Sequence, residues 1–564
     1  MPGIAAARNA QSLLLGTTQR ACVTAFEVVR RSRLGCFAAS RSGKAVTRAS
    51  SEANVSDDRR VPGDWAAILD HLERRRAAAR AMGGAERVAR QRSGGRLDAR
   101  ARVERLCDPG TFVELGLLVG SEAEIPADGF VAGSGRIDGR TVLVGAEDFT
   151  VMGGSIGIRA HAKRYRLAEL ALEQRVPLIM MLDGAGERAQ NASERYPRSP
   201  NDLQALNRLS GHVPLVAMIM GPSAGHSALV APLADFVVMV EGAAAFAAGP
   251  PLVANATGEI ASKEELGGAR VHATQSGLAH NTAADDDAAL ALVRRYLGHF
   301  PSSAWQSPPL PVAAHPGDAD RGPRSLEGIL ELIPADHRKA YDVTRVIELL
   351  VDGGEFLEIA PAFGRAIVTA LARLGGASVA IVANQPIFKA GSIDGEAADK
   401  ASHFIEVADA FHLPVVFLAD TPGIMVGKVA EREGILRRAM RMYAAQARIR
   451  GAKVHATLRK VYGVGSCLMG MNPFDSQTAT LAFPIARLGA MPASGAGEAA
   501  HADESLQDQL VANELAAAYR TADGLSYDDI IDPRELRNRI LDALALARNR
   551  STTLGPAHHT GIRP

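Results

Sequence analysis

The sequence predicts an α/β protein made of two tandem units related by internal duplication, and three observations carry that expectation. Four landmarks recur at one spacing: Arg136 and Arg373, Ser155 and Ser392, Asp183 and Asp420, and Phe246 and Phe483 each stand 237 residues apart. Within each half, short β-rich runs alternate with helical patterns, the signature of layered α/β structure with mainly parallel strands. A polar, Pro-rich stretch (301–324) separates the halves.

In chain order, residues 1–60 form an extension with many Arg and Ser and few acids. That composition suits an organellar transit peptide or a disordered bacterial N-terminus, and either way it is excluded from the fold. The body opens with a charged helix over 66–90, carrying Ile68, Leu69 and Leu72 on its apolar face. The first unit spans 61–310, a linker 311–334, the second unit 335–550, and a tail 551–564. Buried-strand candidates are Val142–Val144 with Val379–Val382, and Leu178–Leu182 with Val415–Leu418. Upstream, TFVEL at 111 matches EFLEI at 355, here with the two Phe 244 apart.

Composition narrows the function. The 63 Lys and Arg nearly balance 62 Asp and Glu in 564 residues, which leaves no basic footprint for nucleic acid. No apolar run reaches the roughly 18 residues of a membrane span. The four cysteines are scattered with no CxxC pair, which fits a reducing compartment rather than a zinc ribbon or disulfide scaffold. His161 and His272 stand apart, so each reads as a helix-face or satisfied core histidine, and no metal site is expected. Ser223 or Ser466 with His226 has no acid placed beside it by the sequence. Cys467 sits among Leu468, Met469 and Met471 and reads as structural.

The chemistry is carried by glycine. A strand that ends in Asp-Gly-Ala-Gly (183–186) before a helix leaves backbone N–H groups unpaired at its tip, where the helix start adds positive charge. Two amides aimed at a carbonyl oxygen stabilise negative charge developing there. The candidates are Ala185 and Gly186 in the first unit and Gly463, Val464 and Gly465 in the second, with GPSAGHSA (221–228) lying where the second unit has YGVGSCLM.

The motifs DFTVMGGS (148–155), DGAGERAQ (183–190), IMGPSAG (219–225), AGPPLV (248–253), EELGGARVHATQSGLAH (264–280), GIMVG (423–427), RKVYGVGS (459–466) and DDIIDPRELR (528–537) resemble the carboxyltransferase β subunits of biotin-dependent acyl-CoA carboxylases, the propionyl-CoA and methylcrotonyl-CoA group. The resemblance runs from about 60 to 550. It implies two crotonase-like domains, an acyl-CoA side first and a biotin side second. Carboxybiotin on a separate carrier would supply CO2 to the enolate of an acyl-CoA. Ala185 and Gly186 would serve the thioester oxygen, and Val464 and Gly465 the biotin oxygen. Gly153, Gly154, Ser155, Arg188 and Gly225 would contact acyl-CoA, and Gly463, Ser466 and Cys467 would line the biotin pocket. Also implied are a biotin carboxylase and carrier partner and a homo-oligomer, a hexamer, with sites formed between subunits. The expected compartment is the bacterial cytoplasm, with the mitochondrial matrix as alternative.

The chain departs from the family at Gly184-Ala185-Gly186-Glu187, Ala224-Gly225-His226-Ser227 and Tyr462-Gly463-Val464-Gly465-Ser466, and has Cys467 where propionyl-type members carry an acid. These changes fit a longer or branched acyl group, or a subunit without catalysis. A biotin-dependent decarboxylase subunit and a crotonase-type hydratase or isomerase also remain open, although Glu187 is the one acid near a hole.

Overall fold

The computed structural model describes residues 64–189, 200–309, 320–548, 550 and 554–557. The N-terminal extension, Gln190 and most of the tail lie outside the described residues.

The first half contains β1 (Val113–Glu114), β2 (Phe130–Ile137), β3 (Arg140–Glu147), β4 (Leu178–Leu182), β5 (Leu215–Ile219), β6 (Pro222–Ala224), β7 (Phe236–Val240), β8 (Ala244–Phe246) and β9 (Asn281–Ala283). The second contains β10 (Phe356–Ile359), β11 (Ile367–Leu374), β12 (Ala377–Asn384), β13 (Val415–Thr421), β14 (Lys453–Tyr462), β15 (Ala479–Ala482), β16 (Arg487–Gly489) and β17 (Asp529–Ile530). Each half forms its own sheet, in the orders β1-β2-β3-β4-β5-β7-β9 and β10-β11-β12-β13-β14-β15-β17, with β16 on β14 and a small β6–β8 pair. The first three strands of each sheet are antiparallel and the rest parallel. Strands such as β4 and β5 are buried at every residue, as continuous Leu/Ile/Met/Val runs require of central parallel strands.

The repeat is literal through the first crossover. β2 and β11, β3 and β12, and the helices Ile158–Gln174 and Gly395–Ala410 all begin 237 residues apart. Leu143 pairs with Leu178 as Ala380 pairs with Val415. The 244 spacing upstream is also structural, since Val113 opposes Ser134 and Leu357 opposes Leu371. A duplicated lysine confirms the match: buried Lys163 donates to the carbonyls of Ala127 and Phe130, and buried Lys400 to those of Phe363 (3.0 Å) and Ile367 (2.8 Å). Burial pushes both ammonium groups down to about 8.

Three expectations need correction. Phe246 and Phe483 are not equivalent: Phe246 ends β8, whereas Phe483 follows β15, the counterpart of β7. Insertions after β4 and β5 break the constant spacing, so that fourth coincidence is accidental. The opening helix is two, Trp65–Arg80 and Ala85–Ser93, broken where a Cβ on Gly83 would meet the Thr150 carbonyl at 2.0 Å. The C-terminal end of the expected linker is packed structure, with a helix at Ile329–Leu332 and Leu326 and Ile329 fully buried; residues 310–319 lie outside the described residues.

One continuous apolar cluster runs through both halves. Phe300 meets Phe411 edge-on at 5.7 Å, Arg373 donates to the Gly298 carbonyl at 2.9 Å, and Asn281 to that of Glu358 at 2.9 Å. Near this seam Asp235 is buried, its carboxylate accepting from the Leu215 N–H at 2.8 Å. Burial pushes the carboxyl up to about 7. A raised carboxyl favours folding while it is protonated, and the benefit is lost as pH rises from the unfolded value through 7. Asp235→Asn is therefore expected to gain thermal stability relative to the natural chain at pH 8 and little at pH 5, a difference on the order of a few kcal/mol. Equal effects at both pH values, by thermal melts, would refute it.

Candidate active site

The two strands that end at the landmark acids, β4 and β13, position the site. Asp183 is fully buried and accepts from Arg102 (2.8 Å) and Arg96. Arg102 also bonds Asp286 (2.8 Å) and the Met220 carbonyl (3.0 Å). In the second half Asp420 is equally buried and takes the Arg459 guanidinium at 2.6 Å. The residue ending the third strand steadies each tip. Glu147 accepts from the Asp183 N–H at 2.8 Å, and its counterpart Asn384 from the Asp420 N–H at 3.1 Å. Duplicated scaffolding thus holds two glycine-bearing tips.

In the first half, the Ala185 N–H is committed to the Gly153 carbonyl at 2.9 Å, so it is not available to a substrate oxygen in this conformation. Gly154 packs under the tip, where a Cβ would meet the Asp183 carbonyl at 2.3 Å. Gly186 has φ +82°, and a Cβ there would stand 2.4 Å from the Ala224 carbonyl. Among the described residues neither the Gly186 N–H nor that of His226 meets an acceptor within the chain. A Cβ on Gly186 would lie 3.6 Å from the His226 nitrogen, so these amides are neighbours. The adjoining unpaired amides at this tip are thus those of Gly186 and His226, where the sequence pointed to Ala185 and Gly186. Gly225 supplies the turn, with φ +51° and its N–H on the Phe246 carbonyl at 2.9 Å.

The matching tip of the second half is built differently. Pro422 stands where the first half has Ala185 and has no N–H, and Gly423 donates to the Thr421 hydroxyl at 3.1 Å. The free donors come instead from the short helix Val464–Leu468, entered through Gly463 at φ +54°. The N–H groups of Val464 and Gly465 open that helix and, among the described residues, meet no acceptor. A Cβ on Gly465 would stand 2.7 Å from the Gly423 Cα, which explains the glycine. Ser466 turns its hydroxyl back to the Gly463 carbonyl at 2.8 Å, and Cys467 is half-buried with its sulfur 3.9 Å from that hydroxyl. Val464 is 37% exposed at the rim. Beside Gly463, a cavity of about 510 Å³ is lined by Leu488, Met491, Ala493, Ala496, Ala500 and Leu510.

Arg188, expected to contact acyl-CoA, is buried and bonded to Asp128 (2.7 Å) and the Ser155 carbonyl (2.9 Å), bracing the 153–157 loop. The sequence missed the basic cavity beside Gly153, about 500 Å³, lined by Arg87, Arg90, Arg96, Phe149 and Met152. Among the described residues Arg87 meets the Thr150 carbonyl alone, at 3.4 Å, and no carboxylate; Arg90 holds Glu86 at 2.8 Å. The signal for it was the arginine repetition in the second helix.

Nor are the histidines isolated. His161 and His226 lie edge-to-face with ring centres 4.6 Å apart. Both bond Asp202, at 3.0 and 2.7 Å, and His161 reaches Glu187 at 2.9 Å. The fold joins residues that the sequence separates by up to 65 positions. His272 matches its expectation, satisfied by the Ala245 carbonyl (2.7 Å) and Ser276 (2.8 Å). Ser223 bonds the Gly221 carbonyl rather than His226, so a Ser-His pair does not form.

The comparisons agree with this architecture. The carboxyl transferase domain model matches residues 90–562. The methylmalonyl-CoA decarboxylase subunit alpha of Veillonella parvula is 34% identical over 88% of this chain and 98% of its own length. The mitochondrial propionyl-CoA carboxylase beta chain of Sus scrofa is 33% identical over 85% and 91%. The transcarboxylase 12S crystal structure, a hexamer with hydrolysed methylmalonyl-coenzyme A bound, superposes with a TM-score of 0.81 at 33% identity, covering 90% of this chain and all of that one. A single-chain, multi-domain long-chain acyl-CoA carboxylase gives 0.72 at 31% identity, over 84% of this chain and 50% of that one. Two duplicated sheets with crotonase-like glycine tips, matched along their whole length, place the chain in the carboxyl transferase family, as an acyl-CoA carboxyltransferase of the carboxylase β-subunit type.

Proposed function

We propose that this chain transfers a carboxyl group from carboxybiotin, carried on a separate subunit, to the α-carbon of an acyl-CoA. The supporting observation is the pair of free amides in each half: Gly186 with His226, and Val464 with Gly465. The reaction develops negative charge on two oxygens, that of the thioester enolate and that of the biotin ureido group, and each hole suits one of them. The first half takes acyl-CoA and the second the biotin end. The Arg87 and Arg90 cavity beside Gly153 suits the CoA phosphates. Cys467, standing where propionyl-type members carry an acid, favours an acyl group longer or more branched than propionyl. A homo-hexamer, partnered by a biotin carboxylase and carrier in a bacterial cytoplasm, is the proposed assembly. Among the described residues no helix is long and apolar enough to cross a membrane.

A decarboxylase reading rests on the equal likeness to the Veillonella subunit. ATP-dependent bicarbonate fixation, measured with the chain, a biotinylated carrier and its carboxylase over a panel of acyl-CoAs, separates the two. A carboxylated thioester supports the proposal; no product with any acyl-CoA from an assembled complex refutes it. Arg87→Ala is expected to raise KM for acyl-CoA about tenfold with kcat nearly unchanged, as loss of uniform binding does. An unchanged KM would remove the cavity from the account.

A further inference from the structure

We propose that Glu514 positions the Val464 and Gly465 amides by clamping the turn that carries them, a role that rests on the reading of those amides as donors to a developing oxyanion. Glu514 stands on the helix Glu504–Leu515, well downstream of the turn it serves. Its two carboxylate oxygens are divided between two segments. One accepts from Arg487, the first residue of β16, at 3.2 Å. The other accepts from the N–H of Ala493, which opens the helix Ala493–Ala499, at 2.6 Å. The Tyr462 hydroxyl, on the last residue of β14, hydrogen-bonds the same carboxylate.

These contacts converge on the backbone that aims the two donors. Gly463 enters the short helix Val464–Leu468 at φ +54°, and its N–H is fixed on the Gly489 carbonyl at 2.9 Å. Gly489 ends β16, opposite Tyr462. A Cβ on Gly463 would stand 3.0 Å from the Ala490 carbonyl, so the turn rests directly on the segment leaving β16. The direction of the Val464 and Gly465 N–H groups therefore follows the position of residues 487–490. A displacement of about 1 Å in such a support costs up to about 10²-fold in rate.

β16 has few other anchors. It is three residues long and, among the described residues, pairs with β14 alone, through Lys460–Arg487, Val461–Leu488 and Tyr462–Gly489. None of the three is fully buried, and Leu488 is the one that packs on the core. So short an edge strand is weak by itself. No residue of the helix Glu504–Leu515 is buried either. Between that helix, the helix Ala493–Ala499 and β16 lies the cavity of about 510 Å³, whose wall includes Glu514. Apolar packing is thus thin where the polar contacts are dense. The Glu514 side chain is 11% exposed and bonds a guanidinium and a backbone amide, both charge-assisted contacts of the stronger kind. One carboxylate therefore joins the end of β14, the start of β16 and the helix that follows.

The test pairs hydrogen exchange with turnover, both on the full-length chain. Glu514→Ala should speed exchange of the hydrogen-bonded amides of 460–470 and 487–493 by about tenfold or more, while those of 178–189 keep their natural rate. With a biotinylated carrier and acyl-CoA both saturating, it should lower kcat by about 10²-fold. KM for acyl-CoA should not change, because the cavity beside Gly153 is untouched. Glu514→Gln keeps an acceptor for the Ala493 N–H and should bring kcat back to within about fivefold of the natural value, the worth of a part-exposed ion pair. In a Gly465→Val chain, whose amides are already displaced, adding Glu514→Ala should cost less than about threefold more. Unchanged exchange at 460–470, natural kcat in Glu514→Ala, exchange raised equally at 178–189, or a loss that adds in full to that of Gly465→Val overturns the proposal. Exchange is read without any reaction. A natural chain that carboxylates no acyl-CoA would refute the proposed reaction, while exchange still decides the clamp.

Discussion

Gly465→Val should lower turnover by about 10²- to 10³-fold, the cost of losing one donor of an oxyanion hole. The added side chain has no room, because a Cβ alone would stand 2.7 Å from the Gly423 Cα and 3.3 Å from the Thr421 methyl. The helix Val464–Leu468 must then shift, and its first amides swing off target. Gly186→Val should be at least as damaging, since it adds backbone strain at φ +82° to a 2.4 Å approach to the Ala224 carbonyl. Both changes are confined to the turns that follow β4 and β14, so oligomer size should be unchanged by size-exclusion chromatography. Ala185→Val should be mild by comparison, because the Ala185 N–H already serves the Gly153 carbonyl and its side chain is exposed. Equal losses at 185 and 186, measured as kcat, would contradict the assignment of Gly186 as donor.

The largest stability effect is expected at Arg459. Its guanidinium donates to Asp420 at 2.6 Å, to the Lys339 carbonyl at 2.7 Å and to that of Asp336 at 3.1 Å, and lies 4.6 Å from the Tyr341 ring centre. Arg459→Met leaves the Asp420 charge buried, with Lys460 at 3.9 Å as the nearest cation. Breaking one partner of a buried pair costs about 3–5 kcal/mol. Asp420→Asn in the same chain should recover much of that loss, because it removes the stranded charge. A double variant no more stable than Arg459→Met, by thermal unfolding, would show that the carbonyl contacts rather than the ion pair dominate.

The duplication was legible because it is literal where the chain is most constrained. From Phe130 through Leu182 the second copy keeps the same length, so Arg136, Ser155 and Asp183 align with their counterparts by counting alone. Phe246 misled because the loops after β4 and β5 are free to change length. The Lys163 and Lys400 pair sat at the same spacing and went unread, since a buried lysine looks in sequence like an exposed one. Site glycines were legible as residues but not as donors. Whether Ala185 or His226 has a free amide depends on where Gly153 and the Phe246 strand fall, which is a matter of tertiary contact. The His161, Asp202 and His226 cluster was hidden for the same reason, its members being 24 to 65 positions apart.

The central claim is that paired backbone amides on the two repeats move a carboxyl group between two bound partners. A single-turnover experiment tests it without ATP or the carboxylase: a carrier bearing isotopically labelled carboxybiotin is mixed with the chain and an acyl-CoA. The account predicts that label leaves the carrier and appears on the acyl-CoA, and that Gly186→Val and Gly465→Val each prevent this. Label that stays on the carrier, or that escapes as CO2 with no carboxylated thioester formed, would contradict it.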